Sequence, residues 1–383
     1  MTRFWWQLPG PSQFVERVVQ DFRDGKNVIL CLPEHLPSGL SSAIRSELGD
    51  DWDWQKISVS SESSGEPVHF LFDHFVGEIS SNEVRNARTL AQHQNFAGKI
   101  VWLDDLTPNV WPVWKKFILD YEQPCRNIPK LYRTLFCVSL VGKLALDPPA
   151  EEVCLSHHFW KGVVDRMDMM LFTSQLFQGK RLPDLQKRVA ISVVTNIALW
   201  DCNISKRLAY EKLEHILKPL PILHQIAGER NWCDCNYELS ERWCKGMKDI
   251  IESEEKIHSA VLVNGVLDKV EIERRIWSGE VGELLPFVEE RRHDILRLLA
   301  GFLKVPFTTR FGEVIKDVQD LEIGHIEYQI DENCRVVKSD VRNLVRHLRK
   351  IRNALSHLET ISPELLLSRE ITDWHRILRR NSK

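Results

Sequence analysis

The stretch Asn27-Val28-Ile29-Leu30-Cys31-Leu32-Pro33-Glu34-His35-Leu36-Pro37-Ser38-Gly39 decides the fold class of the first part of the chain. Its first six residues form a short apolar run without a charge, the pattern of a strand buried on both faces of a parallel sheet. Two prolines and a closing glycine make 33–39 a loop. Leu40 to Leu48 then reads as a helix. Upstream, Phe14, Val18, Val19 and Phe22 share one helical face, and Gly25 ends that helix. Downstream, Lys99-Ile-Val-Trp-Leu-Asp104-Asp105 is a second hydrophobic strand, this one ending in two acids. Leu131 to Ser139 reads as a third core strand, ending in a polar residue. Strands alternating with helices predict an α/β layer structure with a parallel sheet.

Strand, loop and helix are also the setting of a phosphate-gripping Walker A loop. In its GxxxxGK[ST] register Gly39 and Ser41 match, Glu34 stands at the first glycine, and Leu40 replaces the lysine. A carboxylate in the loop repels phosphate, and a leucine cannot reach the β- and γ-oxygens. Asp104 and Asp105 stand where a Walker B strand holds Mg²⁺ and an attacking water, or they make an ordinary strand-end turn. Residues 1–145 therefore resemble the P-loop domain of the AAA/STAND class, with Walker B kept and Walker A degraded. The resemblance implies that Gly39, Ser41, Asp104 and Asp105 mark the former nucleotide site. It also implies that ATP hydrolysis is absent or very weak, and no cofactor is expected.

Near the other end, Arg352-Asn353-Ala354-Leu355-Ser356-His357 lies on a strongly patterned segment, Arg342 to Glu359. Leu344, Leu348, Ile351, Leu355 and Leu358 make one apolar stripe, flanked by Arg342, Arg346, Arg349 and Arg352. Asn353 and His357 share a face. Arg352 sits roughly 140° around the helix from His357, so both can border a cleft. These residue types suit metal-free RNA cleavage. RNA carries its own nucleophile, the 2′-OH; an imidazole moves the proton, and a guanidinium balances charge building on the phosphate. The stretch resembles the RX4–6H motif of HEPN domains, small helical bundles found in many RNases of toxin and antiviral systems.

That resemblance implies catalytic roles for Arg352, Asn353 and His357 and an RNA substrate, tRNA or mRNA. It implies a site completed across a homodimer or larger assembly, and partner proteins of a prokaryotic defence system. The alternative is a catalytically inactive scaffold or interaction subunit. Glu322 and His325, three apart, form either a second acid–base pair or a hydrogen-bonded pair inside the bundle. A four-helix arrangement over 285–383 would suit the HEPN-like reading.

Between these regions, Leu146-Asp-Pro-Pro149 marks a boundary. Val153 to Gln178, Leu185 to Trp200, Arg207 to Leu217, Leu239 to Ile257 and Ser259 to Ala300 read as helices, with Lys218-Pro-Leu-Pro221 as a break. They give 146–284 the look of the helical lid and winged-helix segments that follow an AAA/STAND core. His157 and His158, as helix neighbours, would point about 100° apart and not co-ligate a metal. Phe307 to Glu313 is expected to open a helix, and Leu365 to Leu378 to close the bundle.

A chain of 383 residues implies two or three domains, with 43% hydrophobic and 27% charged residues as in ordinary globular proteins. A net charge of −3 carries no global signal for nucleic acid, but 335–383 hold 12 Lys/Arg against 5 Asp/Glu, a local excess that fits a polyanion. The aromatic start is not followed by an apolar core, so no signal peptide is expected. No run approaches the length of a membrane span, so a cytoplasmic protein without membrane contact is expected. Nine scattered cysteines suit reduced thiols. Cys233-Asp234-Cys235 with Cys244 lacks a second close pair to complete a tetrahedral set, so no metal is expected. The 13 tryptophans are assigned to packing, and residues 60–66 to a loop.

Overall fold

Every residue from Asn27 to Leu32 is buried, as the apolar run requires. In this computed structural model the strand, β1 (Asn27–Leu32), is an inner strand of a five-stranded sheet of order β2-β3-β4-β1-β5. Its partners are β2 (Asp53–Ser58), β3 (Lys99–Asp104), β4 (Leu135–Val141) and β5 (Leu155–Phe159). All four neighbouring pairings are parallel. The structure describes residues 2–50, 52–59, 66–77, 84–232, 238–264, 266–332 and 337–381. The chain divides into two compact units, Met1–Asp168 with Cys235–His258, and Met169–Asp234 with Ser259–Lys383.

In the first unit, α1 (Pro9–Arg23) buries Phe14, Val18, Val19 and Phe22 completely. Phe14 meets Trp160 edge-on at 4.8 Å. Helix α2 (Leu40–Leu48) follows β1, and further along the chain Phe117 and Tyr121 of α3 (Trp111–Arg126) pack on Phe136 of β4 at 5.6 and 4.9 Å. The tryptophans assigned to packing do pack: Trp5, Trp6, Trp102, Trp111, Trp114 and Trp160 are all buried. Strand β4 differs from the expected ending. It starts at Leu135, after a short turn at Lys130–Tyr132, and runs to Val141, so Ser139 lies inside the sheet opposite Leu30.

Two other segments correct the expected helices. Val153 to Gln178 is not one helix: Leu155–Phe159 completes the sheet as β5, and only Arg166–Phe177 is helical. His157 and His158 are therefore strand neighbours pointing to opposite faces. His158 hydrogen-bonds Asp21 of α1 at 2.8 Å. Leu239 to Ile257 is also not a helix. Its end forms the antiparallel hairpin β6 (Lys248–Ile251) and β7 (Glu254–Ile257). The metal question at Cys233 and Cys235, and the expected loop at 60–65, lie outside the described residues.

The second unit is mostly helical. Helix α5 (Val266–Leu298) packs against α4 (Asp184–Ala198), α7 (Ser339–Ser356) and α8 (Trp374–Asn381), while α6 (Ile323–Glu332) packs on α7. Gly279 permits the α4–α5 approach, since a Cβ there would stand 2.7 Å from the Val193 backbone. Arg207 to Leu217 splits into two helices, Cys202–Tyr210 and Leu213–Ile216. Lys218-Pro-Leu-Pro221 starts a helix at Leu220 instead of only breaking the chain, because a proline in the first turn forfeits no helical hydrogen bond. Phe307 to Ile315 is not helical but a small hairpin, β8 (Phe307–Thr308) with β9 (Val314–Ile315). Leu365 to Leu378 is divided into the short helices Pro363–Leu366 and Arg369–Thr372 and the start of α8. No helix among the described residues is long and apolar enough to cross a membrane.

Candidate functional site

Leu344, Leu348, Ile351 and Leu355 are buried and fix the rotation of α7. The helix ends at Ser356, three residues short of the expected Glu359. Leu358 takes a left-handed conformation (φ 61°) and leaves the apolar stripe, 68% exposed. With the stripe inward, Arg352 and Asn353 open into a cleft of about 740 Å³ bounded by the β8–β9 hairpin, α6 and α7. His357 does not line that cleft. It caps the C-terminus of α7, with its backbone N–H donating to the carbonyls of Asn353 and Ala354, and its side chain is exposed.

The cleft's electrostatics are those of two antiparallel helices facing one another. Glu322, just before α6, accepts from Arg352 at 3.0 Å. Glu327 accepts from Arg349 at 2.6 Å, and Asp331 from Arg346 at 2.9 Å. This charge ladder neutralises the arginine face on which the motif sits. Glu322 and His325 do meet, but through the backbone: the Glu322 N–H donates to His325 Nδ1 at 3.2 Å. That bond places the proton of the neutral ring on Nε2. The His325 ring stands 5.5 Å from Phe307, and Phe307 stands 5.8 Å from Tyr328. Arg310 lies 6.0 Å over the Tyr328 ring.

Arg310 and Phe311 are not expected at a cleft from the sequence, because Phe307 to Glu313 reads as a helix, and nothing in the sequence pairs Tyr328 with them. The turn-forming Gly312 was the available signal for a hairpin.

Behind the motif, α5 grips both sides of His357. Trp277 Nε1 donates to the Leu355 carbonyl at 2.9 Å, and Glu280 Oε2 accepts from the Ile361 N–H at 2.9 Å. Glu280 is completely buried, and its Oε1 has no partner among the described residues. Burial pushes its carboxyl up to about 8, opposed only by the Ile361 hydrogen bond.

In the first unit, Gly39 supplies a left-handed residue (φ 100°) at the N-terminus of α2, a conformation that glycine adopts without strain. It lines a cleft of about 630 Å³ with Arg3, Trp6 and Ser46. Ser41 is not among the lining residues, and Leu40 is buried. Glu34, at the first-glycine position, pairs with Lys245 at 2.6 Å, and its N–H donates to the Cys244 carbonyl at 2.7 Å. Lys143, after β4, pairs with Glu241 at 2.8 Å. The segment 241–245 thus lies against the carboxyl ends of β1 and β4. Asp104 pairs with Lys56 at 3.0 Å, and Asp105 (φ 58°) accepts from the Ser58 hydroxyl. The two acids are brought to one end of β3 but are spent on β2, and neither lines the cleft that Gly39 lines.

Among the described residues no cluster of three or more His, Cys, Asp or Glu side chains has the arrangement of a metal site. No protein-family model matches the chain, and no curated protein matches it.

Proposed function

We propose that the protein is a metal-independent RNA endonuclease of the HEPN type. It acts in the cytoplasm as an effector of a prokaryotic defence or toxin-type system, and a degenerate AAA/STAND-like domain regulates it. The observation that carries the reading is the presentation of the motif. Arg352 and Asn353 open on one cleft, and His357 stands exposed one residue past the end of the same well-anchored helix. In the reaction the 2′-OH attacks the adjacent phosphorus. His357 takes the hydroxyl proton, Arg352 holds the phosphate and balances the charge on the phosphorane, and Asn353 orients these two side chains. The 5′-oxygen leaves and takes the proton from the His357 imidazolium, giving a 2′,3′-cyclic phosphate and a 5′-hydroxyl end. Because His357 does not line the cleft that its own Arg352 lines, a homodimer or larger assembly supplies the two groups from different copies in this reading.

The sheet supports the P-loop-like part of the reading. With β4 between β1 and β3, the loop 33–39 and Asp104 leave the same carboxyl edge, where parallel α/β sheets bind ligands. The carboxylate of Glu34 and the buried Leu40 favour docking or sensing over ATP hydrolysis at that edge.

One observation favours a second reading, a catalytically inactive scaffold in a defence complex. Arg352 is occupied by Glu322, as the first-glycine position is occupied by the Glu34–Lys245 pair. Purified protein incubated in EDTA with total RNA and bulk tRNA, beside an Arg352→Ala/His357→Ala double variant, separates the two. Cleavage by the wild type alone, leaving cyclic phosphate ends, is expected. Cleavage by both, or toxicity on expression that persists in the double variant, would overturn the assignment of these residues. Absence of both cleavage and toxicity leaves the scaffold.

A further inference from the structure

The motif uses one wall of its cleft, and the opposite wall is aromatic. The hairpin turn that bears this wall is closed by hydrogen bonds from the Gly312 N–H to the Thr309 carbonyl (3.0 Å) and from the Thr309 N–H to the Glu313 carbonyl (2.8 Å). This formed turn holds Phe311 at 99% exposure. Behind it stand Phe307 and Tyr328, with Arg310 over the Tyr328 ring. Aromatic faces beside arginine are how proteins hold unpaired bases, because stacking tolerates any base and the guanidinium adds to it. A base paired within an RNA helix cannot offer its face in this way. The cleft volume of about 740 Å³ lies within the range of sites for small ligands, roughly 300–1,000 Å³.

Resting on the RNase reading of the same cleft, we propose that the β8–β9 hairpin and α6 form a subsite for one unpaired nucleotide of single-stranded RNA. Its base stacks on the aromatic wall, and its phosphate displaces Glu322 from Arg352. The charge ladder indicates where that exchange occurs. Glu327 is 13% exposed and shared by Arg346 and Arg349, whereas Glu322 is 60% exposed and, among the described residues, is ion-paired with Arg352 alone. A phosphate presents to an arginine the same paired oxygens as a carboxylate and carries its charge into the same fork. Glu322 therefore acts as a built-in competitor that a phosphate replaces. His325, its neutral-ring proton fixed on Nε2, adds a donor within the same cleft.

The test is fluorescence anisotropy of the full-length protein in EDTA with a short single-stranded RNA, 2′-O-methylated throughout so that it cannot be cleaved. Phe311→Ala and Tyr328→Ala are each expected to weaken binding about tenfold. Glu322→Gln is expected to tighten it severalfold and to steepen its salt dependence, because in the wild type the displaced carboxylate takes up a cation and offsets the counterion that the phosphate releases. Duplex RNA of the same length is expected to bind more weakly than the single strand. Phe311 is fully exposed, so its replacement leaves folding intact. No binding by the wild type, no response to either aromatic substitution, weaker binding by Glu322→Gln, or preference for duplex would each overturn the subsite. If these shifts hold while RNA is never cleaved, the subsite stands and the RNase reading falls. Cleavage without the shifts gives the reverse.

Discussion

Replacing Glu280 by Gln tests how the end of the motif helix is held. Glu280 is fully buried on α5, accepts one hydrogen bond from Ile361, and titrates near 8 where an exposed glutamate titrates at 4.5. The folded state therefore binds a proton that the unfolded chain has released. The stability of this arrangement is complete below about pH 4.5 and is lost as the pH rises towards 8. At 1.36 kcal/mol per pH unit, the whole displacement corresponds to about 5 kcal/mol, of which about 4 kcal/mol falls between pH 5 and pH 9. Gln keeps the shape and an acceptor for Ile361 but does not ionise. Its unpaired amide adds a constant penalty of about 1–3 kcal/mol at every pH.

Urea unfolding of both proteins at pH 5, 7 and 9 reads the difference. The variant is expected to be the less stable at pH 5 and to gain on the wild type by about 4 kcal/mol by pH 9. A stability difference that does not change with pH would refute the reasoning, because every other titrating group is common to the two proteins. Hydrogen exchange at Ile361 gives the local counterpart: protection should fall with pH in the wild type alone, beyond the intrinsic rise in exchange. Since Trp277 and Glu280 hold the chain at Leu355 and Ile361, the segment loosened between them includes His357. Alkaline conditions are therefore expected to cost activity before they unfold the bundle.

Other perturbations have equally definite outcomes. Gly279→Ala drives a Cβ against the Val193 backbone, which cannot rotate away, and should lower stability by about 1–3 kcal/mol in thermal or urea unfolding. Leu348→Ala empties a fully buried position on the inner face of α7 and should cost about 2–5 kcal/mol, with activity lost in proportion to unfolding. Asp249, buried and raised to about 6, accepts from the Gly162 and Ile250 N–H groups. Its folded-state pKa exceeds the unfolded value of 3.8, so its contribution to stability declines as pH rises from about 4 to 6, and Asp249→Asn should abolish that slope. Calorimetry with Mg²⁺ and ATP is expected to show no heat of binding for the wild type, since Leu40 is buried and Glu34 is already paired.

The parts of the fold that were legible are those in which side-chain pattern alone suffices. β1 and α2 begin and end where the sequence places them, and β3 begins at Lys99 but stops one residue early, at Asp104, because a doubly buried strand must be apolar throughout and Gly39 marks the turn into a helix. The β6–β7 hairpin was hidden for a definite reason: its turn residues Glu252 and Ser253 both adopt positive φ, where Gly, Asn or Asp is the usual sign. Strand β5 was masked by two histidines, one of them satisfied by Asp21 from 137 residues earlier in the chain. The β8–β9 strands, two residues each, are too short to show alternation. At the candidate site, the shared cleft of Arg352 and Asn353 follows from helix geometry. Glu322 as the partner of Arg352 does not, because a contact across 30 residues depends on how α6 and α7 are paired.

Each candidate phosphate position in this chain is thus set against a carboxylate of the protein itself, yet the two are held differently. Glu34 is one-third exposed, is gripped by a largely buried Lys245 and donates its backbone N–H to Cys244. A Cβ on neighbouring Gly142 would collide with it. A phosphate entering there would have to desolvate beside a fixed negative charge, and the lysines at that edge, Lys245 and Lys143, are already paired with Glu34 and Glu241, so mass action with nucleotide gains little. Glu322 is tied to Arg352 by one ion pair in solvent, worth about 0–1 kcal/mol, and is free to swing away. A polyanion supplies several phosphates at high local concentration and readily exceeds that. The same substitution, a glutamate where a phosphate would bind, closes one site and merely gates the other. Glu34→Gly/Leu40→Lys removes that carboxylate and releases Lys245 from its pair with it, so calorimetry should then detect ATP binding where the wild type shows none, whereas Glu322→Gln alone should suffice to raise affinity for RNA.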